Sequence, residues 1–290
     1  AMKNFTKTLK TFAAATCLAL VLLFSSCRNV SPPSASRQLE PAPAGVNICI
    51  YGDSRSGNGV HQRIVNAIMR LKPVAVFHTG DMVANGLAPG EWTIFNRITA
   101  PLRRSAPFYP ALGNHERKSA LYFADFKLPG NGRWYWVDIN AIHFFVLDTE
   151  SPIGPGSEQY QWLEKYLQRT NPADFTVAVF HHPPLSVGLH ANDEKGLRNS
   201  IVPLFEKYDV DLVFAGHDHN YQRFLYNNIH YVVTGGGGAP LYGQKGANPY
   251  LKVFLKEYNF CNLTNLHNGQ LQVDVFDSNL RRLDSFTVSK

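Results

Sequence analysis

The 290-residue sequence predicts an α/β fold: a two-sheet β-sandwich flanked by helices, with a polar site at the C-terminal ends of strands. Three observations point there. Short apolar runs at 46–51, 74–78, 144–147, 175–180 and 211–215 alternate with helical patterns at 60–71, 91–103, 157–169 and 196–208. Several of the runs stop directly on polar residues capable of chemistry. From 221 onward the pattern changes to short β-like runs with turns, including IHYVVTGGGGAPLY and the closing LQVDVFDSNLRRLDSFTV, which predicts a second, antiparallel sheet. A hydrophobic content of 44% is ample for one sizeable core, and no internal repeat is evident.

At the N-terminus, Lys3, Lys7 and Lys10 precede an apolar stretch, TFAAATCLALVLLF, that ends at Ser25-Ser26-Cys27. A charged head, a short apolar segment and small residues read as an export signal rather than a spanning helix. The end of the segment resembles a bacterial lipoprotein signal, with Phe24 where Leu is usual. That resemblance implies a signal over 1–27, acylation of Cys27, and a membrane-anchored lipoprotein facing the periplasm or cell exterior. Ordinary cleavage with Cys27 incidental is the alternative. Residues 28–45 are rich in Pro, Ser and Ala without apolar periodicity and read as a flexible tether, so the folded domain is expected over 46–290. Half of the formal +6 charge lies in the three N-terminal lysines, and no basic run with interleaved aromatics occurs, which argues against a nucleic-acid surface.

The first run, VNICIY, carries Cys49 as a small hydrophobe; with Cys261 the only other cysteine of the domain and no CxxC, neither a disulfide nor a thiolate zinc site is expected. This run ends in Tyr51-Gly52-Asp53, and the next in Thr79-Gly80-Asp81. Gly113-Asn114-His115-Glu116 follows a third apolar segment, His181-His182-Pro183 a fourth, and Gly216-His217-Asp218-His219 a fifth. His217 and His219, two residues apart, point the same way on an extended segment. Singly these are weak signals, since Gly-Asp is often only a turn and Asn a cap. Together, strand ends delivering Asp, Asp, Asn-His, His and His-x-His suit two ions such as Mn, Fe or Zn, held by oxygen and imidazole.

This set resembles the calcineurin-like metallophosphoesterase family, whose ordered signature is D-x-H or D-x-G, GD, GNH-D/E, H and GHxH, across about residues 48–219. The resemblance implies that Asp81 bridges two divalent or trivalent metal ions. Asn114, His181 and His217 would complete one site, while Asp53 and His219 would belong to the other. His181 is preferred to His182 because a residue and then Pro follow it. A metal-bridged water would attack a phosphomonoester, with His115 as general acid at the leaving-group oxygen. A phosphodiesterase, or a metal-binding surface protein without turnover, fits the same ligands. The segments GHDHNYQR, TGGGGAPLY and FDSNLRRLDSF look like the purple acid phosphatase branch.

Two departures from the family pattern matter. Ala84 stands three residues after Asp81, where the purple branch has Tyr and the protein-phosphatase branch has an Asp that orients the catalytic His. Arg55 stands in Asp53-Ser54-Arg55 where a ligating His or a Gly is expected, and a guanidinium has no lone pair to offer. Arg55 is expected to clamp a phosphate oxygen, the alternatives being a guanidinium that repels the metal and leaves the site of Asp53 and His219 the weaker one, and a surface ion pair of little energy. His190, nine residues after His181, falls where purple phosphatases place a substrate-facing His; a solvated loop position is the alternative. His182 reads as an outer support or as lining of the mouth. His78, His143 and His230 are expected in the core or on sheet faces, and Gly235 to Gly238 as a tight loop near the site, with a backbone N–H cradle for phosphate the alternative. Trp134, Tyr135 and Trp136 fit a strand pair, with Tyr135 also a candidate to stack a base or sugar.

Overall fold

A computed structural model describes residues 45–290. The expected signal segment, Cys27 and the tether up to residue 44 lie outside the described residues. Strand β1 (Asn47–Tyr51) is buried on both faces beyond its first residue, as an unbroken apolar run requires of a central strand. Helix α1 (Asn58–Arg70), β2 (Ala75–His78), α2 (Pro89–Ser105) and β3 (Phe108–Pro110) come next, and the three strands pair in parallel. A short α3 (Ala120–Asp125) is capped by the Ser119 hydroxyl, which accepts from the Tyr122 N–H, a cap worth about 1 kcal/mol. Strands β4 (Tyr135–Asp138) and β5 (Ile142–Val146) form an antiparallel pair, and α4 (Glu158–Leu167) leads to β6 (Phe175–Val179), parallel to β5.

The helix expected over 196–208 is broken into α5 (Leu197–Ser200) and α6 (Val202–Lys207). Pro203 lies in the first turn of α6, where its missing N–H costs nothing, but its ring would crowd the carbonyl of a continuous helix. Strand β7 (Leu212–Ala215) then runs parallel to β6.

The strands after 221 do not build a separate sheet, contrary to the sequence expectation. β8 (Tyr221–Tyr226), β9 (Ile229–Thr234) and β10 (Leu251–Leu255) extend the sheet of β4 to β7, giving the order β10-β8-β9-β7-β6-β5-β4. β11 (Phe260–Asn265), β12 (Gln270–Phe276) and β13 (Arg282–Ser289) extend the other, giving β13-β12-β11-β1-β2-β3. The parallel cores would otherwise each present a bare edge, at β7 and at β1, and unpaired edges are costly to leave open. β9 covers the first edge in parallel and β11 the second antiparallel, with Ile50 opposite Cys261.

Between the sheets Ile48, Ile50 and Phe77 meet Phe144, Val177 and Phe214, and the rings of Phe77 and Phe144 stack with centroids 4.3 Å apart. α1 and α2 cover the outer face of one sheet through Ile64, Ile68, Ile98 and Leu102; α4 and α6 cover the other through Leu163, Leu167 and Phe205. Cys49 packs under α1 while Cys261 faces the inter-sheet core, so the two free thiols lie on opposite faces of one sheet. Tyr135 is buried, its hydroxyl donating to the Pro110 carbonyl at 2.8 Å, which removes it as a stacking platform for ligand. No helix among the described residues is long and apolar enough to cross a membrane.

Candidate metal centre

The parallel strands β1, β2 and β3 of one sheet and β6 and β7 of the other release their C-terminal loops at a common rim. Three residues there, Asp53, Asp81 and His217, have φ of +55°, +57° and +70°, a left-handed backbone that non-glycine residues seldom adopt. Strain of this kind persists only where surroundings impose it. Glu116 is one such constraint: its buried carboxylate accepts the N–H groups of Asp81 (2.9 Å), Met82 (2.8 Å) and Gly113 (2.7 Å), tying the loops after β2 and β3 together. Gly113 and Gly216 are a second, because a Cβ on either would collide with the carboxylate of Asp81 or Asp53, respectively.

On one side of Asp81, four acceptor atoms converge. His181 Nδ1 donates to the Thr79 carbonyl at 3.0 Å, which leaves Nε2 a bare lone pair. That Nε2 lies 3.0 Å from Asn114 Oδ1, 3.2 Å from His217 Nδ1 and 3.4 Å from Asp81 Oδ1. His217 in turn directs Nε2 at Glu194 Oε2, 3.3 Å away, so its Nδ1 is also an acceptor. Burial first, and then the neighbouring imidazoles, lower His217 to about 3; burial likewise lowers His181 to about 3. Both rings are therefore neutral with their lone pairs facing each other, Asp81 Oδ1 accepts the His115 N–H at 3.0 Å, and a cation fits where the acceptors meet. The carboxylates agree: burial and then Asp81 push Glu116 up to about 8, and the same two causes raise Asp53 well above the usual range. The ligand atoms of Asp53, Asp81 and His181, of His181, His182 and His217, and of His190, Glu194 and His217 each lie within 4.8 Å of one another.

The other side differs. Asp53 Oδ1 is 3.6 Å from His219 Nε2, and both Asp53 oxygens accept the His217 N–H, at 3.1 and 3.0 Å. His219 Nδ1 donates to the Pro240 carbonyl at 2.8 Å, so its Nε2 carries a lone pair. The guanidinium of Arg55 faces that lone pair with Nη2 at 3.4 Å and donates from Nε to Asp81 Oδ2 at 3.3 Å. Tyr242 stacks on His219 with ring centroids 4.1 Å apart.

His115 stands over Asp81 with Nε2 3.7 Å from Oδ2, and its Nδ1 is 2.7 Å from the Ala84 carbonyl. The orienting group that Ala84 lacks as a side chain is supplied by its backbone. His190 is brought into the site: its ring lies 3.9 Å from that of His217, its N–H donates to Asp218, and Nδ1 is 2.8 Å from Glu194 Oε1. His182 is buried beside His217, centroids 4.2 Å apart, and held by Thr149. His78 is core, His143 lies on β5 between Asp138 and Asp174, and His230 stacks on Phe286. The glycine run is a close-packed loop, with Gly237 donating to Gly52 O and Gly235 to Asn220 O, so those amides are not free to cradle phosphate. Sequence reasoning missed Glu116, Glu194 and Tyr242. The spacing of four between His190 and Glu194 was a usable signal for the second.

A family model described as calcineurin-like phosphoesterase matches residues 47–221. The chain is 30% identical over 271 residues to a nucleotide pyrophosphatase/phosphodiesterase of Hordeum vulgare, across 74% of this chain and 72% of that protein. It is 30% identical over 267 residues to a probable inactive purple acid phosphatase 27 of Arabidopsis thaliana, across 73% of this chain and 43% of that one. Among solved structures, the purple acid phosphatase PPD1 of yellow lupin (Lupinus luteus) shares the fold with a TM-score of 0.77 at 22% identity, over 86% of this chain and 54% of that chain. The chain thus spans less than half of the Arabidopsis relative and about three quarters of the barley one.

Proposed function

Because the chain belongs to the calcineurin-like phosphoesterase family, a family of metal-dependent phosphoric ester hydrolases, we propose that it hydrolyses phosphomonoesters at the rim where the two sheets meet. The observation that carries this reading is the convergence of acceptor atoms from Asp81, Asn114, His181 and His217. These residues would hold a Mn, Fe or Zn ion. Such an ion, when bound, polarises a phosphate oxygen and makes water a better nucleophile at neutral pH.

The chain's own groups do the rest. Arg55, fixed by Asp81 and His219, presents its remaining N–H groups to phosphate oxygens, a geometry suited to a planar fork. His115, its Nδ1–H held by the Ala84 carbonyl, turns Nε2 toward the leaving-group oxygen and protonates it. His190 borders the same mouth. The name of the barley relative favours a second reading, cleavage of a phosphodiester or pyrophosphate bond.

Hydrolysis of p-nitrophenyl phosphate and bis(p-nitrophenyl) phosphate, with chelator and with Mn²⁺ restored, separates the readings. Monoester turnover lost on chelation and regained with metal is expected. Faster turnover of the diester would favour the second reading, and no turnover of either by the metal-loaded protein would overturn the enzyme assignment. From the sequence we also place the chain outside the cytoplasm, anchored through Cys27. Cys27→Ala should move it from the membrane to the soluble fraction, and lipid labelling that persists in the variant would contradict this.

A further inference from the structure

The two halves of the rim do not accept a cation equally. On the side of Asn114, His181 and His217, side-chain lone pairs face one another with no cationic donor among them, the one N–H present being the neutral His115 amide on Asp81 Oδ1 at 3.0 Å. On the side of Asp53 and His219, the donor is already there. Arg55 Nε bonds Asp81 Oδ2 at 3.3 Å, Nη2 faces the His219 lone pair at 3.4 Å, and the Tyr242 ring stacks on His219. The residue is not a loose surface arginine. Its side chain is only 17% exposed, its N–H donates to the Asp81 carbonyl at 3.2 Å, and its carbonyl accepts from Gly57 at 2.8 Å.

A divalent ion on this side would need Asp53, Asp81 and His219 as ligands. An N–H of Arg55 already lies against two of those three, Asp81 Oδ2 and the single lone pair of His219, and the incoming charge would meet a guanidinium in contact with both. A guanidinium contributes no ligand in return and stays charged at any working pH. The residues on this side therefore do not fit a second metal. We propose that the centre takes one divalent cation, at Asp81, Asn114, His181 and His217, and that the Arg55 guanidinium is the second positive charge, built into the chain. This rests on the phosphoesterase reading and sharpens it: the phosphate would lie between an exchangeable metal and a fixed organic cation that binds oxygen through directed hydrogen bonds.

Titration of metal-free protein with Mn²⁺, followed calorimetrically and checked by elemental analysis of the dialysed protein, tests it. The wild type should bind one Mn²⁺ per chain. Arg55→His, which replaces the guanidinium with a ligand, should bind two, and Arg55→Met, which keeps the stem and removes the charge, should tighten the second ion at least tenfold over wild type. Circular dichroism and thermal unfolding verify that each variant is folded, and Arg55→Met carries the test should Arg55→His not fold. Two Mn²⁺ of similar affinity in the wild type would overturn the proposal while leaving the hydrolase reading intact, as would folded variants that gain no second ion. No bound Mn²⁺ at all would overturn both.

Discussion

On one side of Asp81, three acceptors lie 3.0–3.4 Å from His181 Nε2; on the other, Asp53 and His219 are 3.6 Å apart with a guanidinium against them. The same residue types, on loops of the same design, converge as acceptors in one place and form a salt-bridged network in the other. The difference comes from a single side chain, Arg55, whose Nε lies 3.3 Å from Asp81. In a site dominated by buried carboxylates, whichever cation arrives with the chain competes with whichever arrives from solution.

The largest expected effect separates chemistry from metal. His115→Ala should lower turnover of an alkyl phosphate about 10²–10⁴-fold, the usual contribution of general acid catalysis, with Mn²⁺ content unchanged. An unaltered rate would remove His115 from the mechanism. The next contrast lies within one tetrapeptide. His217→Ala should weaken Mn²⁺ by more than about 100-fold, beyond what loss of an outer partner does, whereas His219→Ala should keep one tight ion. Equal losses in the two variants would erase the distinction between the sides.

Glu194→Gln should act through His217, whose Nε2 it meets at 3.3 Å. Loss of a carboxylate that orients a ligating imidazole typically costs about 10–100-fold in metal affinity, and calorimetry on the variant reads it. An unchanged Mn²⁺ affinity would show that Glu194 serves only His190.

The smallest effect concerns stability away from the rim. Burial lowers His61, behind β1, to about 3, against 6.5 in the open chain. A depressed imidazole means that the unfolded chain takes up the proton first, so the stability is fully present above pH 6.5 and is lost as pH falls toward 3. At about pH 5.5 the loss is about 1 kcal/mol, seen as a lower Tm in chelator. His61→Phe should flatten that slope between about pH 6.5 and 4.5 without changing Mn²⁺ stoichiometry. A slope equally steep in the variant would assign the proton uptake elsewhere.

Much of the rim was legible because strand ends carry their chemistry in order along the chain. The apolar runs and the polar residues on which they stop marked the rim, the resemblance to the calcineurin-like signature singled out Asp53, Asp81, Asn114, His181, His217 and His219, and the structure brings all six together. The parts that were not legible depended on groups that local pattern does not record. The pairing of β1 with β11 joins residues more than 200 positions apart, and alternation within β11 says nothing about which sheet it joins. Nor does sequence show that a backbone carbonyl, that of Ala84, replaces a missing carboxylate behind His115. Arg55 was visible as a departure from pattern. That its guanidinium lies between Asp81 and His219 comes only from the turn set by Gly57 and the Asp81 carbonyl.

The most direct measurement is anomalous diffraction at the Mn absorption edge from crystals equilibrated with Mn²⁺. One anomalous peak per chain, bounded by Asp81, Asn114, His181 and His217, with Arg55 still on Asp81 and His219, is the predicted result. A second peak of comparable height between Asp53 and His219, with Arg55 displaced to solvent, would contradict the account.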